Sequence, residues 1–291
     1  MENIESFLYQ LANYPYLQTA LYTSILVGII CGVIGCFIIM RGMALMGDAI
    51  SHAVLPGVVL AYMLGINFFI GAVIAGVLTA LAIGFISQNS RIKEDSAIGI
   101  MFTAMFAIGV IMISSLKGSE VDLQHILFGN VLAVSRTNLY FTLGIGIFVI
   151  MAVLIFYRPL LLSTFDETMA KASGLPVKWI HYLLMLLLSF VTVASLQTVG
   201  IILVVAMLIT PGATAYLLTE RFSIMLILAA LIGVISGIVG LYLSVIYNVS
   251  SGGSIVVTAS GIFAAAFLFS PKQGLVFKLL RKPKKEEQRA A

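Results

Sequence analysis

The segment MGDAISHAVLPG, residues 46–57, places an aspartate and a histidine four positions apart in a chain that otherwise avoids charge. On a helix, positions i and i+4 share a face, so Asp48 and His52 present one carboxylate and one imidazole at the same spot. That is a partial site for a divalent transition-metal ion, with too few ligands for a closed cage. A transported ion needs such weakness, because it must leave as readily as it enters. Two copies facing each other across a two-fold axis would offer two carboxylates and two imidazoles on that axis. The alternative is a locking pair, Asp48 with His52 or with Arg41, that merely holds helices together. In lipid an aspartate near a helix centre costs roughly 2.5–3.5 kcal/mol on insertion scales, so some compensating role is required.

The elements that must position this pair are membrane helices. Of 291 residues, 61% are hydrophobic and 10% charged, with a mean hydropathy of +1.13. A span needs roughly 20 mostly apolar residues, and only a helix satisfies its own peptide groups in lipid. Apolar runs predict helices at 18–40, 43–64, 68–88, 96–116, 137–157, 179–198, 199–219, 222–247 and 252–270. The sixth and seventh are split only by QTVG, either a tight external turn or a break in one bent helix, so eight or nine spans are expected. EVDLQHILFGNVLAV, residues 120–134, is too short and mixed to span and is expected to lie at the interface or re-enter. No charged leader with a small-residue cleavage site precedes the first run, so no cleaved signal peptide is expected. Cys31 and Cys36 lie within that run as small apolar packing residues.

Alternating the loops puts all but two of the 16 basic residues on one side, the exceptions being Lys117 and Arg136. The positive-inside bias then predicts an external N-terminus and a cytoplasmic basic tail at 271–291, lying beside anionic lipid. A net charge of +4 concentrated in that way does not indicate nucleic-acid binding. The whole chain, 1–291, is expected to be one membrane domain. No phosphate-binding P-loop and no nucleophile constellation is present, so ATP hydrolysis would need another subunit and no enzyme activity is expected. GIICGVIG (28–35) and GVISGIVG (233–240) share a G-x-x-x-G-x-x-G pattern, read as two helices that each need small residues for close packing rather than as a structural repeat.

The stretch RGMALMGDAISHAVLPGVVLAYMLG resembles the second helix of the membrane subunits of bacterial ABC importers for manganese, zinc and iron. EDSAIGIMFTAMFAIGV (94–110), DLQHILFGN (122–130), FDETMAKASGLPV (165–177) and LVVAMLITPGATA (203–215) resemble further segments of that family, in family order. The resemblance implies an all-α permease bundle of the type II-like importer class, with Asp48 and His52 as metal ligands. It also implies a second permease copy, cytoplasmic ATPase subunits and an external metal-binding protein. The bacterial cytoplasmic membrane follows as location. No permanently bound cofactor is implied, because the metal is cargo. SHAVLPG looks more like the manganese-type members, so manganese(II) is the expected cargo, with zinc or iron(II) as alternatives.

In the loop 158–178, Asp166 and Glu167 precede small residues that include Ala170, and Gly174 follows. Acids in a first turn and a terminating glycine predict a short helix lying along the membrane. It resembles the coupling helix that docks an ABC ATPase. Met43, Leu45 and Met46 are candidates for a hydrophobic gate, and Thr210 beside Pro211 for the ion path. Asp122 and His125 are candidates for guiding metal on the external side, and His181 beside Trp179 for an interfacial anchor. Besides the ATP-driven permease, a proton-coupled secondary transporter and a purely structural subunit are compatible with the Asp48–His52 pair.

Overall fold

A computed structural model describes residues 2–115 and 131–270, and every regular element among them is helical. The order is α1 (Glu2–Asn13), α2 (Pro15–Met40), α3 (Met46–Ala53), α4 (Leu55–Leu64), α5 (Phe68–Asn89) and α6 (Glu94–Ser115). After a single 3-10 turn at Val131–Ala133 come α7 (Arg136–Ile155), α8 (Tyr157–Phe165), α9 (Glu167–Ala172), α10 (Val177–Val199), α11 (Ile201–Leu218), α12 (Phe222–Tyr247) and α13 (Ser251–Phe269). Among the described residues, nine helical stretches are long and apolar enough to cross a membrane, α3 and α4 together forming one of them. Asp122, His125 and most of the segment at 120–134 lie outside the described residues, as does the basic tail.

Helix α2 is the central post, and its neighbours approach it through glycine. Without a hydrophobic driving force between helices in lipid, close backbone approach supplies the packing. A Cβ on Gly28 would come within 2.7 Å of the Gly233 backbone, and one on Gly32 within 2.8 Å of the Ala229 carbonyl. Helices α2 and α12 are therefore antiparallel and closely packed, but the two G-x-x-x-G-x-x-G stretches meet only at Gly28 and Gly233; Gly237 faces Ser24, and Gly240 faces Ile255 of α13. Helix α11 runs parallel to α2, with Gly35 against Leu208 and Gly212 against Cys36. Helix α10 runs antiparallel to α2, placing Ser195 beside Cys31 (Sγ to Oγ 3.6 Å) and His181 beside Arg41.

The QTVG break is a turn between two separate spans. Gly200, at φ 83 and ψ 166, ends α10 and starts α11. The turn is buried within the bundle, since Thr198, Val199 and Ile201 are 2%, 0% and 6% exposed. Helices α4 and α5 form a tight hairpin, closed by Gly65 in the left-handed region and by Asn67, whose side chain accepts from the Phe69 N–H at 2.9 Å. Helix α11 continues through Pro211, and the Thr214 hydroxyl donates to the Thr210 carbonyl at 2.7 Å.

Candidate functional site

The span carrying Asp48 and His52 is divided, because Pro56 has no N–H to donate to the carbonyl four residues back. Helix α3 is thereby a short segment wedged among α5, α6, α10 and α11. Its buried face carries Met46, Gly47, Ala49, Ile50 and Ala53. Gly47 has no side chain, and Leu208 of α11 fills that space. With that face fixed, the opposite side of α3 presents the polar pair. His52 Nε2 lies 3.5 Å from Asp48 Oδ1, with side-chain exposures of 20% and 40%. The expected shared face is therefore observed, and it opens outward from the protomer.

Two aromatic rings hold the imidazole from α6. The His52 ring meets Phe102 at 5.3 Å and Phe106 at 5.6 Å between centroids, both edge-to-face. Phe102 and Phe106 stack on each other at 6.1 Å. Such contacts limit the rotation of a ligand ring without using its nitrogens. Sequence reasoning did not single these residues out, although their i, i+4 spacing was the available signal. Among the described residues no three His, Cys, Asp or Glu side chains converge on a possible metal position.

Arg41 is not a partner of Asp48. Its guanidinium turns toward α8 and α10, donating to Ser163 Oγ at 2.7 Å and Thr164 Oγ1 at 3.2 Å on α8, and reaching His181 Nδ1 on α10 at 3.2 Å. An arginine only donates, so Nδ1 must accept, and the ring proton resides on Nε2. That nitrogen faces Glu94 Oε1 at 3.6 Å, and neither atom has a hydrogen-bond partner although both are buried. Burial lowers the Arg41 pKa below the ordinary guanidinium value, an effect partly offset by the carboxylates of Glu94 and Glu167. Together these residues line a cavity of about 580 Å³ that also reaches Lys171. His181, expected as an interfacial anchor, instead points inward with a side chain 12% exposed, and the neighbouring Trp179 takes the exposed position at 76%.

The loop at 158–178 contains two helices where one was expected. Asp166 caps α9 from outside, accepting from the Met169 N–H at 2.8 Å. Glu167 lies in the first turn and pairs with Lys171 at 2.7 Å, and this hydrogen bond holds its carboxyl below the usual range. Gly174, at φ 78, closes the turn with open space where a Cβ would lie. Ala170 is fully buried against its own chain, whereas Phe165 and Met169 are 56% and 58% exposed. Of the three gate candidates, Met43 and Met46 are buried in the core at 1% and 0%, and only Leu45, at 59%, is free. Thr210 is half-buried.

Among the described residues, nine helical stretches long and apolar enough to cross a membrane, one of them divided at Val54, form the architecture of a multi-span membrane protein. The chain belongs to the ABC 3 transport family, whose sequence pattern matches residues 13–270. It is 69% identical over 290 residues to the manganese transport system membrane protein MntC of Halalkalibacterium halodurans, covering 100% of this chain and 99% of that one. It is 50% identical to the manganese import system permease protein ScaB of Streptococcus gordonii, covering 93% and 97%. Among solved structures, PsaBC from Streptococcus pneumoniae in complex with Fab matches with a TM-score of 0.84 and 49% identity, covering 95% of this chain and 99% of that chain.

Proposed function

We propose that this chain is the permease subunit of an ATP-driven importer of manganese(II), and that Asp48 and His52 contact the ion in transit. The observation that carries the reading is the pair itself: two ligands 3.5 Å apart, on the outward face of a helix whose other face is packed. A second copy related by a two-fold axis completes a four-ligand site on the pore axis. Carboxylate and imidazole ligands without cysteine suit manganese(II), which also takes water or backbone oxygens, and they release it readily. The relatives named for manganese transport support the same cargo. Zinc and iron(II) would fit the same donors, and an external binding protein sets selectivity among them.

In this reading the ATPase subunits dock on the loop 158–178, where Phe165 at the end of α8 and Met169 of the capped helix α9 stand exposed beside Glu167 and Gly174, with Asp166 fixing the start of α9 and Ala170 seating it on the bundle. The positive-inside bias places that loop and the tail at 271–291 in the cytoplasm and the N-terminus outside. Leu45 borders the pore and Thr210 lies near the path; Asp122 and His125, outside the described residues, are proposed to guide incoming metal. The test is uptake of manganese(II) by proteoliposomes holding the permease and its ATPase: uptake that requires ATP and vanishes in Asp48→Ala supports the proposal. Uptake driven by a proton gradient without ATPase defeats it.

A further inference from the structure

Five residues, 41–45, separate the end of α2 from the start of the metal-bearing helix α3. Two backbone bonds close the helix end, Gly42 N–H to Ile39 O at 3.1 Å and Met43 N–H to Ile38 O at 3.0 Å. Gly42 adopts φ 74, a conformation that lets the chain reverse there, and a Cβ at that position would meet nothing. Met43 and Met46 then plug the turn into the core. A force applied at Arg41, seven residues before Asp48, is therefore delivered to the first turn of α3, which carries Asp48.

The guanidinium receives such a force from one place. Ser163 and Thr164 stand three and two residues before Asp166, the N-cap of α9. Both hydroxyls also donate to the Leu160 carbonyl, at 3.1 and 2.7 Å, so they keep a partner when Arg41 leaves them. Glu94 offers the other destination: its buried Oε1 has no hydrogen bond, and it lies across the His181 ring from Arg41. Arginine with two alternative sets of acceptors, one of them a charge-assisted carboxylate, is a two-position element.

We propose that Arg41 is the positioning residue that ties the helix pair α8–α9 to the metal-bearing span, and that it exchanges Ser163 and Thr164 for Glu94 when α9 is displaced. The proposal rests on the assignment of α9 to the ATPase contact, and it fails separately from that assignment. With its hydroxyl partners, Arg41 holds α8 against the 41–45 turn. On Glu94, it frees α8 from that turn and ties the turn to the start of α6 instead. Metal binding is not its task, since it touches neither Asp48 nor His52.

The test uses the permease–ATPase complex in proteoliposomes and reads three quantities: ATPase association, ATP hydrolysis, and manganese(II) ions moved per ATP. Arg41→Gln is expected to keep association and hydrolysis while ions moved per ATP fall on the order of tenfold, within the range that coupling residues command. Arg41→Lys, which retains charge and one donor group, recovers part of the ratio. The double variant Ser163→Ala, Thr164→Val leaves Arg41 in place and produces the same loss, and it decides the matter if Arg41→Gln does not assemble. A normal ratio in either variant overturns the proposal, as does loss of transport only in step with loss of ATPase association. Met169→Glu examines the underlying assignment alone: unchanged ATPase binding there shows that α9 is not the contact, whatever Arg41 does.

Discussion

Among the described residues two histidine–carboxylate pairs have nearly equal separation, Asp48–His52 at 3.5 Å and Glu94–His181 at 3.6 Å, and under the proposed function their surroundings suit them to opposite work. His52 is braced by phenylalanine rings that leave its nitrogens unengaged, and Asp48 opens to the outside of the protomer. His181 receives Arg41 on Nδ1, which fixes its proton on Nε2 toward Glu94. A nitrogen carrying a proton is not a metal ligand, and a cation has no welcome beside a guanidinium. Distance and residue type are thus insufficient to recognise an ion site. The neighbour that sets the tautomer decides.

The comparison breaks most visibly at the first pair. Asp48→Ala and His52→Ala are each expected to reduce manganese(II) uptake by ~100-fold or more, since even changes behind a metal's ligands cost about 10–100-fold. Both variants should insert and bind the ATPase normally, because the packed face of α3 is untouched. Measured uptake within a few-fold of normal would remove these side chains from the path, and aggregation of both variants would make them a locking pair.

A smaller effect is expected at the second pair. His181→Ala should lower transport on the order of tenfold, through the network rather than the site. Manganese(II) bound per permease, counted at equilibrium without ATP, should stay unchanged. Loss of bound metal in this variant would merge the two pairs into one pathway. Next comes Phe102→Ala, which frees one side of the His52 ring. Edge-to-face contacts are worth about 0.5–1.5 kcal/mol, so the apparent affinity for manganese(II) should weaken by about 2–12-fold with ATPase activity intact.

How much of this was legible beforehand follows from the range over which each feature is encoded. The nine spans appear as local apolar runs, and their observed ends differ from expectation by a few residues. Asp48 and His52 are local too, because one turn of helix brings them together. Arg41, Glu94, Ser163 and His181 are far apart in sequence, and only the approach of α2, α6, α8 and α10 gathers them. Helix α8 escaped notice because RPLLLST, 158–164, carries no polar cap or clear periodicity. The burial of Ala170 is likewise a matter of where α9 sits, not of what it contains.

The smallest effect is expected where a charge pair faces solvent. Glu167 and Lys171 are each 60% exposed and bond at 2.7 Å on α9. Exposed i, i+4 pairs contribute little because water screens them and both side chains lose freedom. Glu167→Gln should therefore change thermal stability and transport by less than about twofold in the corresponding constants. The sign of its pH dependence is fixed. Lys171 holds the Glu167 carboxyl below its ordinary value, so the stabilisation is fully present above the unfolded value and is lost as pH falls through the depressed one. Between neutrality and the usual carboxylate range of about 4.3, the pair should stay charged and α9 unchanged. Gly174→Ala supplies the contrast within the same loop: its φ of 78 strains any side chain, so this variant should loosen the α9 end and weaken ATPase association more than loss of the ion pair does. Equal and large effects from the two substitutions would mean that the Glu167 carboxylate itself touches the partner, giving the surface pair a role in docking.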